Sequence, residues 1–214
     1  MSFNLKKFLP YALATVIGMG AFSLFGFQST TEKFGVVDIN KILQDSELGK
    51  ATNKKLQDAL SIRSDLLKFI STYKVLTVDQ ANKLRELTLK PTPTAADKSE
   101  IERIKGEIIA ADKKRNELLQ KSNMTDTDRM QLQDYAQRAQ TMAQVVEQFN
   151  NEFQQELNAF ESQVREDTIT KTKETVKEVA KSQGFTVVLE SSVVPYAAND
   201  ITDASIKALN AKTK

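Results

Sequence analysis

Cysteine, histidine and tryptophan are absent from the 214 residues. Without cysteine there can be no disulfide framework, thiolate zinc site or cysteine nucleophile. Without histidine there is no histidine-based triad and no histidine metal ligand. Glycine and proline are scarce, at 7 and 4 residues, against usual shares of roughly 7% and 5%. So few turn formers mean few turns, and long helices are the economical consequence. Neither sign of charge dominates: 30 basic residues face 28 acidic ones, for a net charge of +2. That balance gives no support to nucleic-acid binding, which normally shows a strong basic excess.

One apolar run stands out. Lys6 and Lys7 precede an uncharged stretch from Phe8 to Phe27, the order of an export signal. The run is also long enough to span a bilayer. Ala21 and Ser23, or Gly18 and Gly20, offer small residues for signal-peptidase cleavage, so residues 1–28 read either as a cleaved signal or as a retained inner-membrane anchor. In both cases the rest of the chain is expected in the periplasm. Residues 1–28 carry two lysines and no acid, so the exported part is neutral.

Beyond a polar linker, Phe34 to Ile39 is short and β-branched and predicts a strand. Helical spacing follows from about Asn40 to Tyr73, with Leu56, Ala59, Arg63, Leu66, Ile70 and Tyr73 at alternating steps of three and four. A short helix is predicted from Thr77 to Leu89, and Pro91 and Pro93 break it. A third helix runs from about Ala96 to Lys121 on Ile101, Ile104, Ile108, Ala111, Arg115 and Leu118. The fourth and longest spans about Thr127 to Gln183, with a seam of Tyr135, Ala139, Met142, Val146, Phe149, Phe153, Leu157, Phe160 and Val164. Gly184 is a natural stop. Strands are predicted at Phe185–Glu190 and Val193–Tyr196, and a last short helix starts near Asp200 or Thr202.

Length fixes the layout. The fourth helix has about 57 residues, or roughly 85 Å, too long to lie on a core of this size. It must run beside other helices, and the first and third are together about as long. The chain is therefore expected to be mostly α with a small β body. The arm, residues 41–183, is a long antiparallel helical hairpin with an insertion near 77–94. The body combines residues 29–40 and 184–214. Three short strands make a marginal sheet alone, so the bodies are expected to associate and share a core.

Few residues suggest chemistry. Asp97, Glu100, Glu102, Asp126 and Asp128 read as solvated helix faces and caps. Asp126-Thr-Asp128 lacks the glycine and distal glutamate of a calcium loop. Asp38 marks a strand-to-helix junction. No nucleophile, base and orienting group come together, so no enzyme activity, metal or cofactor is expected. Tyr135, Met142, Phe149, Phe153 and Phe160 are candidates for gripping another chain, although the same spacing describes coiled-coil core. The many Gln and Asn residues of the fourth helix could form a neutral holding face or plain solvated surface.

Two stretches carry a resemblance. Phe34-Gly-Val-Val-Asp-Ile-Asn-Lys-Ile-Leu-Gln-Asp-Ser-Glu-Leu-Gly-Lys50 is similar to the N-terminal signature of the Skp/OmpH family of periplasmic chaperones. Val179-Ala-Lys-Ser-Gln-Gly-Phe-Thr-Val-Val-Leu-Glu190, followed by Val194-Pro-Tyr196 and Asp200-Ile-Thr202, resembles the closing segments of that family. The likeness covers about residues 34–75 and 150–212. It implies a homotrimer whose strands share a β core, with three arms around a cavity. It also implies ATP-independent holding of unfolded outer-membrane or envelope proteins. No Walker-type loop is present, in keeping with that. The family's basic character suits acidic clients, whereas the exported part here is neutral. The alternative is a membrane-anchored coiled-coil that docks one folded partner in an envelope complex.

Overall fold

The computed structural model describes residues 32–194 and 198–213. The expected export segment, with its uncharged run 8–27, lies outside the described residues. In order, the elements are β1 (Phe34–Val37), α1 (Ile39–Asp45), α2 (Glu47–Tyr73), α3 (Val78–Thr88), α4 (Ala95–Leu119), α5 (Asp126–Ser182), β2 (Val187–Glu190), a 3-10 turn (Ser191–Val193) and α6 (Thr202–Lys212).

The N-terminal signature now has a physical reading. β1 stops at Val37 because Asp38 caps α1, its carboxylate accepting from the Lys41 backbone N–H at 2.8 Å. Ser46 then serves two helices. Its N–H donates to the Ile42 carbonyl at 3.0 Å and closes α1, while its hydroxyl accepts from the Gly49 N–H at 3.0 Å and opens α2. The one helix expected from Asn40 to Tyr73 is thus two. Gly49 sits where they meet: a Cβ there would stand 1.8 Å from the Leu43 carbonyl oxygen.

α2 pairs with the C-terminal half of α5. The Thr52 and Thr168 hydroxyls lie 2.9 Å apart, and Arg63 meets Glu156 at 3.0 Å. Partner numbers fall as α2 advances, so the helices are antiparallel. At Lys74 the backbone turns left-handed (φ 46°), and α3 doubles back along α5. Arg138 donates to the Val75 carbonyl at 3.3 Å, and farther along Arg85 reaches Glu156 at 2.7 Å. α4 then runs outward again, with the Lys105 ammonium 5.9 Å from the Phe69 ring centre. The expected insertion is therefore a back-folded helix, and α2, α3, α4 and α5 form a local four-helix node part-way along the arm.

Both turns that launch long helices use one device. Lys90, Thr94 and Asp97 repeat as Lys121, Thr125 and Asp128, at offsets of four and seven. In each, the threonine hydroxyl accepts from the N–H three residues on. The aspartate in turn accepts from the threonine N–H and from the lysine, at 2.6 Å in the first and 2.5 Å in the second. This is a capping box locked by an ion pair.

At the base, β1 is the middle element. β2 pairs with it in parallel, Phe34 opposite Val187 and Val36 opposite Leu189. On its other edge the Val36 N–H donates to the Asn199 carbonyl (2.8 Å) and the Val36 carbonyl accepts from the Ile201 N–H (2.9 Å). The third strand expected at Val193–Tyr196 is not there in the described part. Val193 closes a 3-10 turn, residues 195–197 lie outside the description, and the chain rejoins the sheet only through a one-residue bridge at Asp200. Asp200 accepts from the Thr202 N–H (2.8 Å), and the Thr202 hydroxyl accepts from the Asp38 N–H (2.8 Å). That chain of bonds fixes α6 to the β1–α1 junction.

Candidate functional site

Two apolar clusters hold the described residues, and they share no side chain. The body cluster is Val37, Ile42, Val176, Val179, Ala180, Ile201 and Leu209. The arm cluster gathers at the node: Leu66 and Ile70 from α2, Ala81, Leu84 and Leu87 from α3, Ile104 and Ile108 from α4, and a run of α5 side chains. Between them α2 has no buried residue from 53 to 65, and α5 has none from 154 to 167. A layer of buried threonines, Thr52, Thr168, Thr172 and Thr175, joins this thin neck to the body.

Four of the five candidate contact residues lie inside the node cluster. Tyr135, Met142, Phe149 and Phe153 are 6%, 1%, 2% and 2% exposed. The Phe149 and Phe153 rings are neighbours, 5.8 Å between centres. Phe160 is apart from them, half-buried in the neck. By contrast the amide residues of α5 face outward: Gln133, Gln137, Gln140, Gln144, Gln148, Asn150, Asn151, Gln154 and Gln155 are all exposed. Gln131 is half-buried and donates to the Tyr135 hydroxyl at 3.2 Å.

A polar network lies over the two phenylalanines. Glu156 accepts from Arg63 of α2 (3.0 Å) and from Arg85 of α3 (2.7 Å), and Arg85 also pairs with Glu152. The Arg85 guanidinium stands 5.0 Å from the Phe149 ring centre and 5.4 Å from that of Phe153, within cation–π range. Hydrogen bonding from Gln148, aided by Arg85, holds the Glu152 carboxyl below its ordinary range. These contacts fix the register of three helices. The sequence carried a signal for them that spacing alone did not decode: Glu152 and Glu156 sit one turn apart, flanking the face of Phe149 and Phe153.

The second exposed feature is the outer face of the sheet. Phe34 and Leu189 are 49% and 39% exposed, Val187 lies beside Phe34 on the same face, and Val193 in the turn after β2 is 70% exposed. Around the sheet edge a groove of about 480 Å³ has Val37, Val176, Phe185 and Val188 in its lining and Lys173, Lys177 and Lys181 among its residues. Among the described residues, no three or more carboxylates are grouped to hold a metal ion. No described helix is long and apolar enough to cross a membrane.

The model of a known family, outer membrane protein (OmpH-like), matches residues 33–209. This chain belongs to the OmpH-like family. The match runs through the capped β1–α1 junction, the whole arm and the Asp200–Thr202 tie. A solved structure from Caulobacter crescentus, described as that of an outer membrane chaperone (OmpH-like), has the same fold. It is 21% identical, covers 85% of each chain and gives a TM-score of 0.51. No curated protein matches the chain.

Proposed function

We propose that the chain is an ATP-independent periplasmic holdase that keeps unfolded outer-membrane or envelope proteins from aggregating between the arms of a homotrimer. Membership of the OmpH-like family over residues 33–209 carries this reading. The apolar side chains of Phe34, Val187, Leu189 and Val193, left exposed among the described residues, support association through the body. A two-stranded sheet leaves such side chains wet unless another subunit covers them. The outward amide residues of α5 support weak holding without sequence preference. Phe160 is the one proposed contact residue that keeps some surface free in the arm as folded. Attachment to the inner membrane through residues 8–27 would apply to an uncleaved chain.

The test is aggregation of a urea-denatured outer-membrane β-barrel protein on dilution. Equimolar trimer is expected to suppress the light scattering without nucleotide. Unchanged scattering would end this reading and favour the docking-arm alternative.

A further inference from the structure

The node contains a helix the hairpin does not need. α2 and α4 alone would carry the chain along α5, yet α3 doubles back and lies on Phe149 and Phe153. Its 11 residues fall below the roughly 12–15 at which an isolated helix becomes stable in water. Its helicity therefore depends on where it docks. Both flanks are non-helical: Lys74 to Thr77 on one side, and Leu89 to Thr94 with two prolines on the other. It can leave without unwinding its neighbours.

What α3 offers the groove is generic. Ala81, Leu84 and Leu87, at steps of three, are 0%, 0% and 3% exposed. This is the helix-in-groove mode, read as anchors on one helical face. Beyond those anchors, α3 is tied to α5 by Arg85, whose side chain is 27% exposed, on Glu152 and Glu156, which are 35% and 38% exposed, while Val75 and Leu76 just before it are buried in the same cluster and stay as its hinge. Pairs so open to solvent are worth about 0–1 kcal/mol each. They set register more than strength. An apolar segment of another chain that buried a similar area would compete with α3 for the same transfer free energy, and it must bury more area than α3 does to offset the cost of association and of wetting the α3 anchors.

We propose that the groove between α2 and α5, lined by Leu66, Ile70, Met142, Phe149 and Phe153, is a binding site for apolar segments of unfolded chains, and that α3 is its resident occupant, displaced on binding. This rests on the holdase reading for its client but not for its groove. It also gives a role to three of the candidate residues that the folded arm conceals, Met142, Phe149 and Phe153.

The absence of cysteine makes the test clean. Arg85→Cys with Glu152→Cys, bridged by a short bismaleimide, replaces the ion pair by a covalent tether. The probes are the dye bis-ANS and a urea-denatured outer-membrane β-barrel protein. The open double variant is expected to bind more dye than the unmodified chain, and the bridged form to lose both dye and client. In the unmodified chain, amide exchange of 78–88 should speed up when either probe binds. Dye uptake unaffected by the bridge, with 78–88 equally protected, overturns the groove. If the bridged form still holds the client, the groove falls and the holdase reading stands. If dye uptake depends on α3 while the client is ignored, the groove stands and the holdase reading falls.

Discussion

Among the described residues, the arm buries its apolar side chains and the body leaves several exposed. At the node, four helices bury Phe149, Phe153, Met142, Leu84 and Ile108 almost completely. Charged pairs lie over the rings, and capping boxes secure the N-termini of α3, α4 and α5. The body has a smaller cluster and a two-stranded sheet whose outer face carries Phe34, Val187 and Leu189, with Val193 exposed in the turn that follows. It is held by specific bonds, Asp38 to Thr202, Ser46 to Gly49 and Asn199 to Val36, more than by volume. The comparison teaches that the same chain uses two stabilising strategies. Periodic burial suffices in the arm, whereas in the body precise polar ties stand beside apolar side chains that stay exposed among the described residues.

Truncating the arm core should give the largest effect on stability. Phe149→Ala removes a ring that is 2% exposed and should cost about 3–5 kcal/mol. Amide exchange resolved by peptide should show the node losing protection while residues 34–48 and 199–209 keep theirs. Equal loss in both regions would mean the two clusters unfold as one.

The body has its own sensitive point. Gly49→Ala sets a Cβ against the Leu43 carbonyl at 1.8 Å, an overlap relieved only by moving α1. The cost should be about 1–3 kcal/mol or more, read as a lowered urea midpoint. Here protection should be lost around β1, α1 and α6 and kept at the node. An unchanged midpoint would show that α1 shifts freely and that the signature glycine is not needed for this junction.

Acid should produce the smallest effect, confined to the helix starts. Asp97 is held down to about 2, first by the hydrogen bond from Lys90 and then by the N–H and hydroxyl of Thr94. Asp128 is lowered by the same set from Lys121 and Thr125. A depressed carboxyl stabilises the fold above its unfolded value near 4, and that contribution fades as pH falls from there toward 2. Protection of the first turns of α4 and α5, taken relative to the intrinsic exchange rate at each pH, should therefore fall between pH 4 and 2, and Asp97→Asn should remove that pH dependence at α4. A flat profile in the parent chain would refute the role of these caps.

The arm's helices were legible because their spacing is local. Leu66, Ile70, Ile104, Ile108, Met142 and Phe149 all sit inside as their periodicity predicts, and α5 ends within one residue of the expected stop. Its span follows from a seam of three- and four-residue steps from Tyr135 to Val164 and from the glycine at 184. The direction of α3 was not legible. Thr77 and Pro91 mark its ends, but only the left-handed turn at Lys74 and the reach of Arg85 to Glu156 decide that it folds back. The split at Ser46 was hidden too, since Ser46 and Gly49 look tolerable in a helix until Leu43 takes the space. In the body, alternation located β2 but not the route of the following segment, which rejoins the sheet at Asp200 through backbone bonds that leave no periodic trace. The contact candidates were chosen by residue type. Type cannot separate a buried seam from an exposed grip, and the covering helix lies about 60 residues away in the chain.

The most direct measurement is the mass of the chain lacking residues 1–28 in solution, by light scattering. It is made alone and with a denatured outer-membrane protein, beside the variant Val187→Lys with Leu189→Lys. The parent should have three times the mass of one chain and gain one client per trimer, and the variant should be a folded monomer. A parent that is itself a stable monomer, with its sheet face exposed and no client taken up, would contradict the proposed association through the body.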